Sequence, residues 1–120
     1  MSKQQQVEAV IRELRQALTD ASGVIVATPD GLVLAADISE SDPARGAAML
    51  ATASGLGKRI TETLHLGMAQ ELLIKGDRGY IAVYRAADKA VLGVLARADA
   101  NLGLINLEAR SVVGKLASIL

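Results

Sequence analysis

The chain has 120 residues, with thirteen basic side chains against thirteen acidic ones and no cysteine. That balance lacks the basic footprint of a nucleic-acid or anionic-membrane binder. The missing thiols exclude disulfides, thiol catalysis and thiolate metal sites.

Hydrophobic residues make up 51 % of the chain, yet the only aromatics are Tyr80 and Tyr84. The core must therefore be aliphatic. The length fits one domain, residues 1–120, which buries roughly two-thirds of its unfolded surface. A single histidine, His65, argues against a zinc or copper site. No apolar run approaches the ~20 residues of a membrane span. The opening MSKQQQ has no apolar core of the secretory kind, so the cytoplasm is the expected compartment.

Residues 3–20 place Val7, Ile11, Leu14 and Leu18 on one stripe among charged neighbours, which predicts an amphipathic helix broken by Gly23. Two short strands follow, VIVA (24–27) and LVLAA (32–36). Pro29-Asp30-Gly31 between them supplies a tight turn, so the pair is an antiparallel hairpin. DISESD (37–42) reads as an acidic loop.

Asp42 as N-cap and Pro43 as first residue start a long helix to about Leu66, with Gly67 as its stop. Segments 68–75, 79–86 and 90–97 read as three strands joined too tightly for anything but antiparallel connections. All five strands are nearly continuous apolar runs, which predicts helices on both faces of the sheet. Residues 101–119 close the chain as a helix with Leu102, Ile105, Ala109, Val112, Leu116 and Ile119 on one stripe, capped by Asp99 or Asn101. The fold class is α+β, a three-layer α/β/α sandwich of topology α-β-β-α-β-β-β-α.

ATASGLGKRIT (51–61) superficially resembles a nucleotide-binding loop. The phosphate-loop pattern fails in register, because Thr52 stands where its first glycine belongs and Arg59 where a hydroxyl should meet magnesium. The dinucleotide fingerprint fails at Ile60. The stretch also lies in mid-helix, where backbone amides are already bonded.

A helical projection puts Met49, Leu50, Ala53, Leu56, Ile60 and Leu64 on the sheet side, with Gly46 and Gly57 beside them. The outward side holds Ala48, Ala51, Thr52, Gly55, Arg59 and Glu62. Such a bald outward strip reads as a contact surface, because interior glycine costs about 1 kcal/mol against alanine. The bland alternative is that alanine is a good helix former and the glycines fit close packing on the sheet. Strand 68–75 can lie at a sheet edge with Leu72, Leu73 and Ile74 in a row between Glu71 and Lys75. An apolar edge is a hazard unless paired or covered. Pairing with a second copy about a two-fold axis resolves it, and flanking charges with a bulge are the alternative.

The hairpin block 18–37, the helix from Asp42, the IKGDRGYIAVY hairpin (74–84), VLGVL (91–95) and the closing helix together resemble the roadblock / dynein-light-chain family, particularly its short bacterial members of the MglB type. The resemblance spans nearly the whole chain, although no single motif is decisive. It implies strand order 2-1-5-4-3, with the terminal helices on one face and the long helix on the other. It implies a dimer through Glu71, Leu72, Leu73, Ile74 and Lys75 of the third strand, with Ala47, Ser54 and Lys58 of the long helix. It further implies docking of a small Ras-like GTPase on Ala48, Ala51, Thr52, Gly55, Arg59 and Glu62, with the chain acting as a non-catalytic adaptor or regulator in bacterial signalling, without cofactor or metal.

Other constellations carry less. Ser54 and His65 lie three helical turns, ~16 Å, apart and cannot pair as nucleophile and base. Asp37, Glu40 and Asp42 are better read as a capping cluster than as a cation site. Tyr80 and Tyr84 share a strand face and read as core or interface packing, and His65 as a residue favouring a helix C-terminus. Arg59 as an arginine finger is a minor reading. A small-ligand sensor domain or a purely structural dimer in a larger complex remains the alternative function.

Overall fold

A computed structural model of the chain describes residues 1–39 and 42–120. Its elements are α1 (Lys3–Ala17), β1 (Ala21–Ala27), β2 (Val33–Ile38), α2 (Pro43–Thr63), β3 (Glu71–Lys75), β4 (Gly79–Ala86), β5 (Ala90–Arg97) and α3 (Leu102–Ile119). The sheet is antiparallel with order β2-β1-β5-β4-β3. Topology and layering follow the sequence pattern.

Each helix starts where a side chain satisfies its orphan amides. Ser2 and Gln5 form a capping box ahead of α1. Asp42 Oδ1 accepts from the Ala44 amide at 3.0 Å, with Pro43 at the first helical position. For α3 the cap is Asn101 rather than Asp99, its Oδ1 accepting from the Leu104 amide. The β1–β2 turn is tightened by Thr28, whose hydroxyl donates to Asp30 and accepts from the Leu32 amide at 2.9 Å. Gly31 there has φ +95°, a conformation that side chains disfavour.

Most of the core lies between the sheet and the α1/α3 pair. Val7, Ile11, Leu14 and Leu18 meet Ile105, Ala109, Val112 and Leu116 above Val24, Val26, Leu92 and Val94. Tyr80 and Tyr84 belong to this core. Their hydroxyls donate to the Ala100 carbonyl and to Asn106 Oδ1, so each ring is buried with its polar end satisfied. Burial pushes the Tyr84 hydroxyl up to about 12. It therefore stays a neutral donor throughout the ordinary pH range.

The α2 side is much thinner, formed by Ala47 and Leu50 on Ile25, Ala27, Val83 and Val91. Here the structure corrects the helical projection. The residues of α2 that face its own sheet are Ala47, Leu50, Ser54 and Gly57. Met49 (65 % exposed), Leu56 (58 %), Ile60 and Leu64 lie outside, roughly a quarter-turn around the helix. Small residues won the inner face because the helix lies close to the sheet. A Cβ at Gly57 would stand 2.7 Å from Leu72 Cδ1, and one at Gly93 would stand 2.9 Å from Leu50 Cδ1.

Three further expectations change. Gly23 is no helix break but a residue inside β1, beside an irregularity in the β1–β5 register. Asp37 and Ile38 extend β2 instead of opening a loop. Continuous burial holds for β1, β4 and β5 but not for the edge strands β2 and β3, whose residues are largely exposed. α2 ends at Thr63, with Leu64 as cap and His65 at φ 59° before Gly67. Asp42 serves as a helix cap, while Glu40 of the acidic cluster lies outside the described residues.

Two glycines should respond oppositely to alanine. A Cβ at Gly79 would sit 2.5 Å from the Ala96 carbonyl oxygen, a backbone atom that cannot swing away. One at Gly55 meets nothing within 4 Å. Gly79→Ala should cost about 1–3 kcal/mol in urea unfolding, and Gly55→Ala should gain about 0.5–1 kcal/mol. Equal effects would refute this placement of the two residues.

Candidate functional site

The two edges of the sheet are finished differently. At β2, Gln4 of α1 donates to the Leu34 carbonyl at 2.7 Å, and Arg15 Nε stands 3.3 Å from Asp37. Those contacts cover part of that edge, engaging one backbone carbonyl and one side chain of β2. At β3 the Arg85 amide donates to the Gln70 carbonyl, and the Gly76 amide to that of Gly79. Antiparallel alternation then turns the backbone groups of Leu72 and Ile74 inward to β4 and those of Glu71, Leu73 and Lys75 outward. The outward groups meet no side chain among the described residues.

The side chains of β3 divide between the faces. Leu72 lies under Gly57 of α2, and Ile74 stands half-exposed on the same side. Glu71 and Leu73 look toward α3. There Arg110 forms a bidentate fork on Glu71, with Nε to Oε2 at 2.7 Å and the second contact at 2.8 Å. These hydrogen bonds hold the Glu71 carboxyl below its ordinary value of 4.5. α3 is thus tied to the open edge.

Beside that edge runs an apolar groove of about 280 Å³, lined on the sheet by Ile38, Leu95, Ile81 and Ile74 and on α2 by Met49 and Ala53. The sheet residues form one row across the strands. Leu56 and Ile60 continue the α2 wall at helical spacing. Sequence reasoning found the α2 residues of this wall but assigned them to the sheet-packing side, and it placed Ile74 on the dimer edge and Ile38 in a loop. The signal available was that one helix cannot seat both this stripe and the Ala47–Leu50–Ser54–Gly57 stripe on the sheet.

The residues named for the dimer therefore separate. Glu71 to Lys75 lie on the open edge. Ala47 and Ser54 are buried beneath α2 against its own sheet and are removed from any such surface. Lys58 lines a different groove on the other flank, with Pro29, Gly55 and Arg85, and is removed as well.

The outward strip is also redefined. Thr52, Gly55, Arg59 and Glu62 are exposed along α2. Ala48 and Ala51 are small partly because the hairpin turn lies against them, a Cβ at Gly31 falling 3.3 Å from Ala48 Cα and 3.7 Å from Ala51 Cβ. Their baldness is in part an internal packing requirement, the bland alternative at those two positions.

An exposed apolar helix flank is thus continuous with the open edge of β3. The Roadblock/LC7 domain family model matches residues 8–96, and the chain belongs to that family. Among solved structures it is similar to the gliding protein MglB of Thermus thermophilus (TM-score 0.88, 21 % identity, 99 % of this chain and 91 % of that one). It is similar to Myxococcus xanthus MglB (0.89, 16 %, 99 % and 90 %). A Roadblock/LC7 domain from Streptomyces avermitilis follows (0.85, 20 %, 92 % and 94 %). A comparison with curated proteins returns no match. At these identities the likeness concerns the fold. No helix among the described residues is long and apolar enough to cross a membrane.

The Glu71–Arg110 fork makes a signed prediction. A depressed carboxylate contributes stability above its unfolded value and loses it as pH falls. Wild-type stability should therefore decline from about pH 4.5 downward, and Glu71→Gln should flatten part of that decline. Because Glu71 is about a third exposed, a double-mutant cycle with Arg110→Ala should give a coupling of roughly 0.5–1 kcal/mol. An unchanged acid limb in Glu71→Gln would show the fork to be energetically silent.

Proposed function

We propose that the chain is a dimeric, non-catalytic adaptor or regulator that docks onto a small Ras-like GTPase. One observation carries the dimer: the apolar flank Met49–Ala53–Leu56–Ile60 and the sheet row ending at Ile74 lie beside the β3 edge, whose outward backbone groups meet no side chain among the described residues. A second copy fits both at once. With a two-fold axis through Leu73, β3 pairs with its own copy and Glu71 stands opposite Lys75 of the second chain, opposite charges that favour this register. The two α2 flanks then cover one another, and twice five strands join in one sheet. Pairing of this kind uses the same patch on both copies.

Family membership supports the GTPase, and the similarity to MglB proteins supports a bacterial regulatory setting. Thr52, Gly55, Arg59 and Glu62 offer the docking ridge, on a side of α2 that such a dimer leaves open. Arg59 is exposed at its centre.

Leu73→Arg should abolish the dimer in light scattering after size exclusion, and Leu56→Lys should weaken it at least about tenfold, both with native circular dichroism. A normal dimer in both variants would refute the edge-and-flank interface. Capture from native lysate with GDP or a GTP analogue present should retain a Ras-like GTPase in one nucleotide state. Gly55→Lys should remove that capture without lowering the melt. No GTPase in either state would sink the reading, and equal capture in both would favour a purely structural subunit.

A further inference from the structure

On the flank of α2 away from the apolar stripe lies a groove of about 370 Å³, walled by Pro29, Ala51, Ser54, Gly55 and Lys58 on one side and by Arg85, Asp88 and Val91 on the other. Ser54 is the only buried polar side chain among the described residues, at 6 % exposure. Thr52 and Thr61 on the same helix donate to helix carbonyls, at 2.8 and 3.1 Å. The Ser54 hydroxyl makes no hydrogen bond among the described residues. Arg15 Nε is the only buried side-chain polar atom without a hydrogen-bond partner among the described residues, so the Ser54 hydroxyl keeps solvent contact along the groove it lines.

The other polar groups around the groove are mainly cationic. Lys58, one turn beyond Ser54, has no ion-pair partner among the described residues. Arg85 is held in the opposite wall by the Ala69 carbonyl at 3.3 Å and by Asp88 at 2.9 Å, which leaves donors of its five-N–H fork unused. Asp88 is engaged with Arg85, so the groove carries a net positive charge. Gly55 leaves the rim open, with nothing within 4 Å of its missing Cβ.

We infer that this groove seats a carboxylate side chain, aspartate or glutamate, of the protein that docks on α2. The Ser54 hydroxyl donates to one carboxylate oxygen at the floor, and the Lys58 ammonium meets the other at the rim. Arg85 supplies positive potential from the opposite wall. Charge-assisted bonds of this kind are about twice as strong as neutral ones. The inference rests on the reading of α2 as a docking face, and it adds the chemistry of the contacting group.

The test uses the full chain and a small probe, N-acetyl-aspartate amide, followed by amide chemical shifts. Saturable shifts at Ser54, Gly55, Lys58 and Ala87 are expected with the aspartate and not with N-acetyl-asparagine amide. Lys58→Gln should weaken binding about tenfold, the value of one hydrogen bond to a charged group. Ser54→Ala, which keeps the fold, should weaken it by a smaller factor. An equal response to the asparagine probe, non-saturating drift, or indifference to Lys58→Gln would overturn the inference. So would inorganic phosphate binding as strongly as the aspartate, which would make the groove an unselective anion site. GTPase capture with no aspartate response refutes the groove and leaves the proposed function standing; the opposite pair of results does the reverse.

Discussion

One helix cannot cover one face of a five-stranded sheet. Five strands at ~4.8 Å spacing span about 24 Å, whereas a helix with its side chains is about 10–12 Å across. On the opposite face two helices, α1 and α3, share the task, and a continuous aliphatic core fills the space beneath them. Where α2 works alone, the row Ile38–Leu95–Ile81–Ile74 is left partly uncovered. The asymmetry of the molecule follows from that shortage of helix, and so does the proposed need for a second copy.

Close approach compounds the effect. α2 presents small residues, Ala47, Ser54 and Gly57, to the sheet, and Leu50 sits over the gap at Gly93. A helix seated low buries little area per residue and leaves its larger apolar side chains on its flank. The hydrophobic term scales with the apolar area removed from water. Met49, Leu56 and Ile60 therefore contribute little to the fold of one chain and would gain most from the proposed association.

The fold was largely legible in the sequence because its signals are local. Asp42-Pro43 fixes where α2 begins, Pro29-Asp30-Gly31 fixes the hairpin, and the paired spacing of Tyr80 and Tyr84 places both rings on one strand face. The interior of α2 was not legible in the same way. Apolar periodicity marks what leaves water without saying whether it is buried in its own chain or another. Met49 and Leu56 were therefore assigned to the core, while Ala47 and Ser54 were assigned to a surface they cannot reach. Gly23 shows a related ambiguity, since the same residue ends a helix or permits close strand packing. Ile38 Cγ2 would lie 2.5 Å from any Cβ placed there.

Two unlike flanks on one helix have a mechanical consequence. In the proposed dimer the apolar flank pairs with its own copy about a two-fold axis, which would bring two ridges of Thr52, Gly55, Arg59 and Glu62 into one assembly. A single asymmetric partner meets two copies of that ridge in different orientations and cannot satisfy both alike. The groove at Ser54 and Lys58 lies beyond each ridge, at the turn between β4 and β5, so one copy's groove can be engaged while the other remains free. α3 completes the connection, because Arg110 grips Glu71 on the strand that forms the proposed seam. A displacement of β3 on association would be felt by α3 through that fork, on the face of the sheet opposite to the proposed docking ridge.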